Sequence, residues 1–119
     1  MQSELVERSS VLERKTGAML HSWRSVVAVL TCDGFFHAFD LDALDREGLT
    51  KTSASPVLSL SLRTSTVAIV PQVHEAAFEI TASKAGTLWT SKVKYTFRAK
   101  SQEVMVDWMV DLQQLCKDR

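Results

Sequence analysis

Most of this chain alternates between apolar and polar residues with a period of two, and only near the C-terminus does the period change to that of a helix. The runs at 58–62 and 92–100 show the alternation most clearly, which is typical of half-buried β-strands. From Ser101 onward, apolar residues recur at spacings of three and four, which indicates one amphipathic helix. This order predicts a β-sandwich whose open corner is closed by a single C-terminal helix.

The predicted strands are short and separated by polar turns. They lie at 11–15, 23–31, 35–39, 58–62, 66–70, 77–81 and 92–100. Asp33 and Gly34 favour a two-residue type I′ turn between the second and third strands, because both central positions of that turn need positive φ. Pro71 is expected to end the fifth strand, and a turn is expected at 83–86. Residues 40–55 show no sustained period, so we expect a loop with one short helical turn at 41–46.

The helix has a recognisable start and one apolar stripe. Ser101 is a candidate N-cap, and Glu103 in the first turn suits the positive end of the helix dipole. The stripe consists of Val104, Met105, Trp108, Met109, Leu112 and Leu115. We expect Trp108 to lie in the core, because a large apolar side chain in this stripe faces the sandwich.

Length and composition indicate one folded domain. The chain has 119 residues, 45% of them hydrophobic, and its formal net charge is zero. We expect residues 1–8 to be a flank and residues 9–118 to be a domain excised from a larger protein. No apolar run approaches the roughly 20 residues needed to cross a bilayer, and the polar N-terminus is unlike a secretory signal. With Cys32 and Cys116 expected to be reduced thiols, the predicted compartment is the cytoplasm.

Several classes of function are disfavoured by the residues present. The chain has no Gly-rich phosphate loop, no nucleophile elbow and no His/Cys cluster with metal-ligand spacing. We therefore expect a binding module without catalytic residues, cofactor or metal. The zero net charge and the absence of a base-stacking aromatic pattern also argue against nucleic acid as a partner.

The order of motifs resembles the pleckstrin-homology (PH) domain family over residues 10–117. The matching features are a Leu-x-basic first strand, Trp23 followed by a basic residue and Val29-Leu30-Thr31, and a last strand that runs into a helix with one tryptophan. The segment 29–39 is most similar to the PH domains of fungal Slm-type phosphoinositide-binding proteins. The resemblance implies a seven-stranded antiparallel β-sandwich, or partly open barrel, capped by one C-terminal α-helix.

The resemblance also implies a headgroup pocket under the loop between the first two strands. Arg14, two residues after Leu12, and Arg24, directly after Trp23, occupy positions that are often basic in the family. The third such position is Val26, which cannot donate a hydrogen bond to phosphate. Losing one charge-assisted contact removes about 1.5–3 kcal/mol, so the usual pocket is weakened.

Slm-type domains are similarly poor in the usual signature, and the resemblance then implies an alternative site on the outer side of the same loop. That site lies between the first hairpin and the turn that joins the fifth and sixth strands. Between Glu79 and Glu103 the chain carries several cations and no acid, which agrees with this location. The phosphoinositide contacts expected for the two sites together are Arg14, Lys15, His21, Arg24, Lys84, Lys92 and Lys94.

Two interpretations of function stay open. In the first, the domain binds a phosphoinositide, with phosphatidylinositol 4,5-bisphosphate as the expected lipid, and holds its parent protein at the inner face of the plasma membrane. Met19 and Leu20 at the loop tip would contact the membrane. In the second, the chain is a protein-interaction module of the same superfold with little specific lipid binding.

Overall fold

The computed structural model describes residues 5–17, 22–41, 55–62, 66–72, 76–85 and 90–117. These residues form seven strands and one helix. They are β1 (Val6–Thr16), β2 (Ser22–Thr31), β3 (Phe35–Asp40), β4 (Leu58–Ser61), β5 (Thr66–Gln72), β6 (Ala77–Ala85), β7 (Thr90–Arg98) and α1 (Gln102–Lys117).

The strands form one antiparallel sheet in the order β4-β3-β2-β1-β7-β6-β5. Strand β1 joins its two halves: it pairs with β2 along residues 6–16, whereas its pairs with β7 are Glu13 with Arg98 and Arg14 with Phe97. This short junction lets β5–β7 lie over β1–β4. The prediction of a mostly β, seven-stranded antiparallel fold with one C-terminal helix is confirmed.

The core lies between the two halves of the sheet and α1. The rings of Phe36 on β3 and Phe97 on β7 meet edge to face with centroids 5.2 Å apart, and Phe36 meets Trp108 of α1 in the same way at 5.8 Å. All three are fully buried, so one aromatic cluster connects both half-sheets and the helix. The rest of the core cluster is Leu12, Val26, Ala28, Leu30, Ala38, Leu62, Phe78, Ile80, Ala99, Met105, Leu112 and Leu115.

Helix α1 starts where the sequence predicts. The Val104 amide donates a hydrogen bond to Ser101 Oγ at 3.3 Å, which is the interaction expected of an N-cap, and Glu103 lies in the first turn. Further along, Arg8 Nε donates to Asp111 Oδ2 at 2.6 Å. This ion pair joins the helix to the N-terminal half of β1.

The turn between β2 and β3 differs from the predicted one. Gly34 has φ of 95°, but Asp33 is not among the residues with positive φ, so the type I′ prediction is wrong. The Gly34 amide instead donates to the Thr31 carbonyl at 3.1 Å, and the loop comprises three residues, 32–34. A three-residue loop needs only its last position in the left-handed region, which glycine occupies without steric cost.

Several strand bounds also differ from those predicted. Strand β1 begins at Val6 rather than residue 11, because its N-terminal half pairs with the end of β2. Pro71 lies within β5, opposite Phe78, which is compatible with its missing N–H because β5 is at the edge of the sheet. Residues 83–85 belong to β6 rather than to a turn. The connection after them joins the sixth and seventh strands, and not the fifth and sixth as expected for the alternative site.

Most of the loop predicted at 40–55, and nearly all of its helical turn at 41–46, fall outside the described residues. The division into residues 1–8 and 9–118 stays a prediction. Among the described helices, none is long and apolar enough to cross a membrane.

The two cysteines lie in different elements. Cys116 is near the end of α1, and Cys32 is in the β2–β3 turn, where its thiol donates to Glu7 at 3.4 Å. Partial desolvation, this hydrogen bond and the carboxylates of Glu7 and Asp33 raise the pKa of Cys32. The thiol therefore stays protonated at neutral pH and is a poor nucleophile.

Candidate functional site

The antiparallel pairing brings two connections to the same end of the sheet. Strand β1 ends at Thr16 opposite Ser22 of β2, and β6 ends at Ala85 opposite Thr90 of β7. Because β1 and β7 are antiparallel neighbours, the end of β1 and the start of β7 lie together. We call this region, where β1, β2, β6 and β7 meet, the loop end of the sheet.

Arg14 and Arg24 face the interior of the sandwich at the loop end. They are direct cross-strand partners, and each lies two residues from a buried core residue, Leu12 or Val26, on its own strand. A period of two places such pairs on one face. Together with Asp40 and other neighbours they line a pocket of about 220 Å³.

The inward pocket contains its own negative charge. Arg24 Nη2 donates to Asp40 Oδ2 at 3.0 Å, because Asp40 is the cross-strand partner of Val26 and therefore lies diagonally beside Arg24. Val26 is only 2% exposed and serves the core. An anion in this pocket would compete with a carboxylate for Arg24 and would have no third basic side chain at position 26.

The opposite, outward face carries a different cluster around Trp23. The Arg98 guanidinium stacks 4.1 Å from the centre of the Trp23 ring, and Arg98 Nε also donates to Glu13 Oε1 at 2.8 Å. Lys15 Nζ lies 5.9 Å from the same ring. These contacts hold Arg98 in place, and the Lys15 ammonium lies over the indole face of Trp23.

Strand β7 continues this outward face toward the loop end. Tyr95 faces inward, so the alternation along β7 places Lys94 and Lys92 on the outward face. Both lysines are exposed. Their cross-strand partners on β6 are Thr81 and Ser83, which bring no negative charge. Glu79, opposite Thr96, lies on the same face and diagonal to Lys94. The outward face is therefore basic at Lys92 and Lys94, with carboxylates at Glu13 and Glu79 further from the loop end.

The structure separates the predicted contact residues into these two groups. Arg14 and Arg24 lie inward, and Lys15, Lys92 and Lys94 lie outward. The backbone of Lys84 pairs with Ser91 in β6, but its side chain is not described. His21, Met19 and Leu20 fall outside the described residues.

Sequence reasoning missed Asp40 and the Glu13–Trp23–Arg98 cluster. Asp40 follows Phe36 and Ala38 at a spacing of two on β3. The alternation in the sequence could therefore have predicted that its side chain faces the inward pocket. No comparable signal exists for Arg98 and Glu13, because their contact depends on the pairing of β1 with β7.

Comparison with known proteins agrees with this architecture. A PH domain family model matches residues 1–117. A structure of the Slm1 PH domain in complex with inositol-4-phosphate is similar with a TM-score of 0.68 at 28% identity, covering 93% of this chain and 96% of that one. A further Slm1 PH structure, described as binding ligand in a site other than the standard one, is 26% identical with a TM-score of 0.68, covering 98% and 99%.

A more distant similarity shows the fold alone. The C-terminal PH domain of pleckstrin, solved with an inositol pentakisphosphate, is 17% identical with a TM-score of 0.65, covering 97% of this chain and 99% of that one. A search of curated proteins by sequence found no match. Since the family model spans nearly the whole chain and the strand order and helix agree with it, this chain belongs to the PH domain family.

Proposed function

We propose that this PH domain binds the headgroup of phosphatidylinositol 4,5-bisphosphate and holds its parent protein at the inner face of the plasma membrane. The binding site lies on the outward face at the loop end. The observation that carries this proposal is the basic surface formed by Lys15 on β1 and the exposed Lys92 and Lys94 on β7.

The inward pocket is the weaker alternative for physical reasons. Its Arg24 is paired with Asp40 at 3.0 Å, and an incoming phosphate would have to displace or tolerate that carboxylate. Like charges at close range oppose binding in a partly buried pocket. Lys92 and Lys94 lie opposite Ser83 and Thr81 on β6, so no carboxylate is directly across from either lysine.

The similarity to Slm1 supports the same choice. The Slm1 PH domain has been solved with inositol-4-phosphate, and one structure of it is described as having ligand in a site other than the standard one. This chain shares the fold, and its inward pocket contains a valine and an ion-paired arginine. A headgroup site outside the inward pocket therefore suits this chain as well.

Residues whose side chains the structure does not describe complete the proposal. His21 and Lys84 would add contacts to the headgroup, and Met19 and Leu20 would enter the headgroup boundary of the bilayer. Each basic residue near an anionic membrane contributes about 1 kcal/mol. Three outward lysines therefore supply about 3 kcal/mol before any specific hydrogen bond to phosphate.

Vesicle sedimentation tests the proposal directly. Wild-type protein is mixed with phosphatidylcholine vesicles, with vesicles that also contain phosphatidylserine, and with vesicles that also contain phosphatidylinositol 4,5-bisphosphate. We expect pelleting that is strongest with the last. Lys15→Ala and Lys94→Ala should each weaken it about fivefold, since about 1 kcal/mol is lost with each cation.

Two further variants serve as controls. Lys100→Ala removes an exposed cation beyond the opposite end of β7 and should bind like the wild type. Arg14→Ala tests the inward pocket and should change binding little. If Arg14→Ala abolishes pelleting while Lys15→Ala does not, the headgroup lies in the inward pocket. If the wild type pellets with none of the vesicles, the lipid function is wrong.

A protein-interaction function is the second candidate. It is favoured by the buried Val26 and by the Arg24–Asp40 ion pair, which together reduce the usual headgroup pocket. A domain that lacks lipid binding altogether but retains the fold would act through a protein partner alone. The vesicle experiment distinguishes the two functions.

A further inference from the structure

Trp23 is at the centre of a contact that crosses three neighbouring strands on the outward face. Trp23 is on β2 and Arg98 is on β7, and both strands are neighbours of β1, which lies between them. The Arg98 guanidinium lies 4.1 Å from the centre of the Trp23 ring. The two side chains therefore meet across β1, the strand that carries Lys15.

Arg98 is itself held by a second interaction. Its Nε donates to Glu13 Oε1 at 2.8 Å, and Glu13 is the cross-strand partner of Arg98 on β1. A guanidinium that donates through Nε and stacks through its flat face is fixed in position. Its charge is also balanced by the Glu13 carboxylate. Arg98 is thus better suited to support the indole than to bind an incoming anion.

Lys15 lies against the same ring. Lys15 and Trp23 are direct cross-strand partners on β1 and β2, and such partners have Cβ atoms about 4.5–5.5 Å apart. Lys15 Nζ is 5.9 Å from the ring centre, within the roughly 6 Å over which an indole face attracts an ammonium. A lysine that moves freely loses rotamer freedom when it binds a ligand. An ammonium already held by the indole loses less.

The core of the sandwich does not account for the position of Trp23. Its side chain is partly exposed, and it does not belong to the buried core cluster. Two cations, one on each neighbouring side of the cluster, lie over its ring. Tryptophan is the aromatic side chain that attracts cations most strongly, so the residue type agrees with a role in holding them.

We propose that Trp23 is the positioning residue of the outward headgroup site: Arg98 fixes the indole, and the indole holds the Lys15 ammonium ready for phosphate. This inference rests on the proposed function, because it assigns Trp23 a role in that same site. A positioned ammonium favours a ligand whose phosphates are concentrated on one ring, as in an inositol polyphosphate headgroup. A diffuse anionic surface attracts a mobile ammonium almost equally well.

Titration with soluble inositol 1,4,5-trisphosphate tests this role without a bilayer, so insertion of the indole into lipid cannot contribute. Trp23→Leu retains apolar bulk but has no π face, and it should weaken binding about fivefold in isothermal titration calorimetry. Trp23→Phe retains a π face and should lose at most about twofold. All three proteins should bind phosphatidylserine vesicles equally, because no charge changes.

A double-mutant cycle separates positioning from direct contact with the headgroup. If Trp23 acts through Lys15, then Trp23→Leu should change the affinity less than about twofold in a protein that already carries Lys15→Ala. Equal losses in the two backgrounds would mean that the indole contacts the headgroup itself, which overturns the proposal. Ser25→Ala is the matched control, since Ser25 is the next outward residue on β2 and is exposed. It should bind like the wild type.

NMR of the wild type gives a measurement that needs no variant. The ε-methylene protons of Lys15 should be shifted upfield by the Trp23 ring, and shifts typical of a free lysine overturn the proposal. The remaining outcomes separate this inference from the proposed function. Wild-type protein that binds neither the trisphosphate nor vesicles with phosphatidylinositol 4,5-bisphosphate contradicts both. Normal binding by the wild type together with undiminished binding by Trp23→Leu contradicts the role of Trp23 alone.

Discussion

Trp108 connects the helix to strands β1 and β3 through two different interactions. Its ring packs edge to face on Phe36 at 5.8 Å, and its indole Nε1 donates to Ser10 Oγ on β1 at 2.9 Å. Trp108 is completely buried, so its indole N–H relies on Ser10 as the acceptor. A buried donor that loses its partner costs about 1–3 kcal/mol.

We expect Ser10→Ala to lower the free energy of unfolding by about 1–3 kcal/mol, because it leaves the buried Trp108 indole N–H without an acceptor. Urea denaturation followed by circular dichroism measures this change. Ser9→Ala is the control, since Ser9 is the exposed neighbour on the outward side of β1 and its loss should cost less than about 0.5 kcal/mol. Equal losses in the two variants would contradict the role assigned to Ser10.

Helix α1 depends on interactions at its first turn as well as on its buried stripe. The Ser101 hydroxyl accepts the Val104 amide, one of the amides that have no partner within the helix. The apolar stripe provides most of the attachment to the sheet, and the Arg8–Asp111 ion pair adds a polar contact on one side. The cap therefore determines how well the start of the helix stays ordered.

Replacing Ser101 tests the cap. Ser101→Ala should lower the free energy of unfolding by about 1 kcal/mol, whereas Ser101→Asp should retain stability because a carboxylate is an equally good cap. Amide hydrogen exchange at Val104 should accelerate only in the alanine variant. If Ser101→Asp destabilises as much as Ser101→Ala, then packing of Ser101, and not capping, explains its position.

The molecule as a whole is neutral, but its charges are segregated. Between Glu79 and Glu103 the chain carries five cations and no acid, and between Asp33 and Glu47 the acids predominate. The five cations are Lys84, Lys92, Lys94, Arg98 and Lys100. Strands β6 and β7 therefore present a basic surface although the net charge is zero, and this surface can orient the domain on an anionic membrane.

Membrane binding should accordingly be sensitive to salt. Raising the salt from about 0.1 M to about 1 M shortens the Debye length from about 10 Å to about 3 Å. We expect binding to vesicles with phosphatidylinositol 4,5-bisphosphate to fall at least about tenfold. Vesicle sedimentation over a salt series measures this, and a double Lys15→Ala, Lys94→Ala variant should show a shallower dependence. Binding that does not change with salt would indicate apolar attachment instead.

Much of the fold could be predicted from local pattern. The alternation at 58–62 and 92–100 and the change of period at Ser101 report which side of each element is apolar, and that property belongs to the segment itself. The cap at Ser101 was predicted for the same reason. The early start of β1 and the continuation of β5 past Pro71 could not be predicted. Both depend on the strands with which β1 and β5 pair.

The candidate site divides in the same way between features that the sequence predicts and features that tertiary structure decides. The residue types and the family resemblance were enough to select Arg14, Arg24 and Lys15 and to note the loss of a cation at Val26. The partners of these residues came from tertiary structure: the β2–β3 register puts Asp40 beside Arg24, and the β1–β7 junction joins Arg98 to Glu13.

The sequence by itself determined the number and kind of elements and the basic character of β7, since side-chain chemistry and periodicity are local. Tertiary structure alone decided which arginine is neutralised and which lysines share a surface. These outcomes depend on contacts between residues far apart in the chain, such as Glu13 and Arg98, and strand pairing over such separations leaves no periodic signal in the sequence.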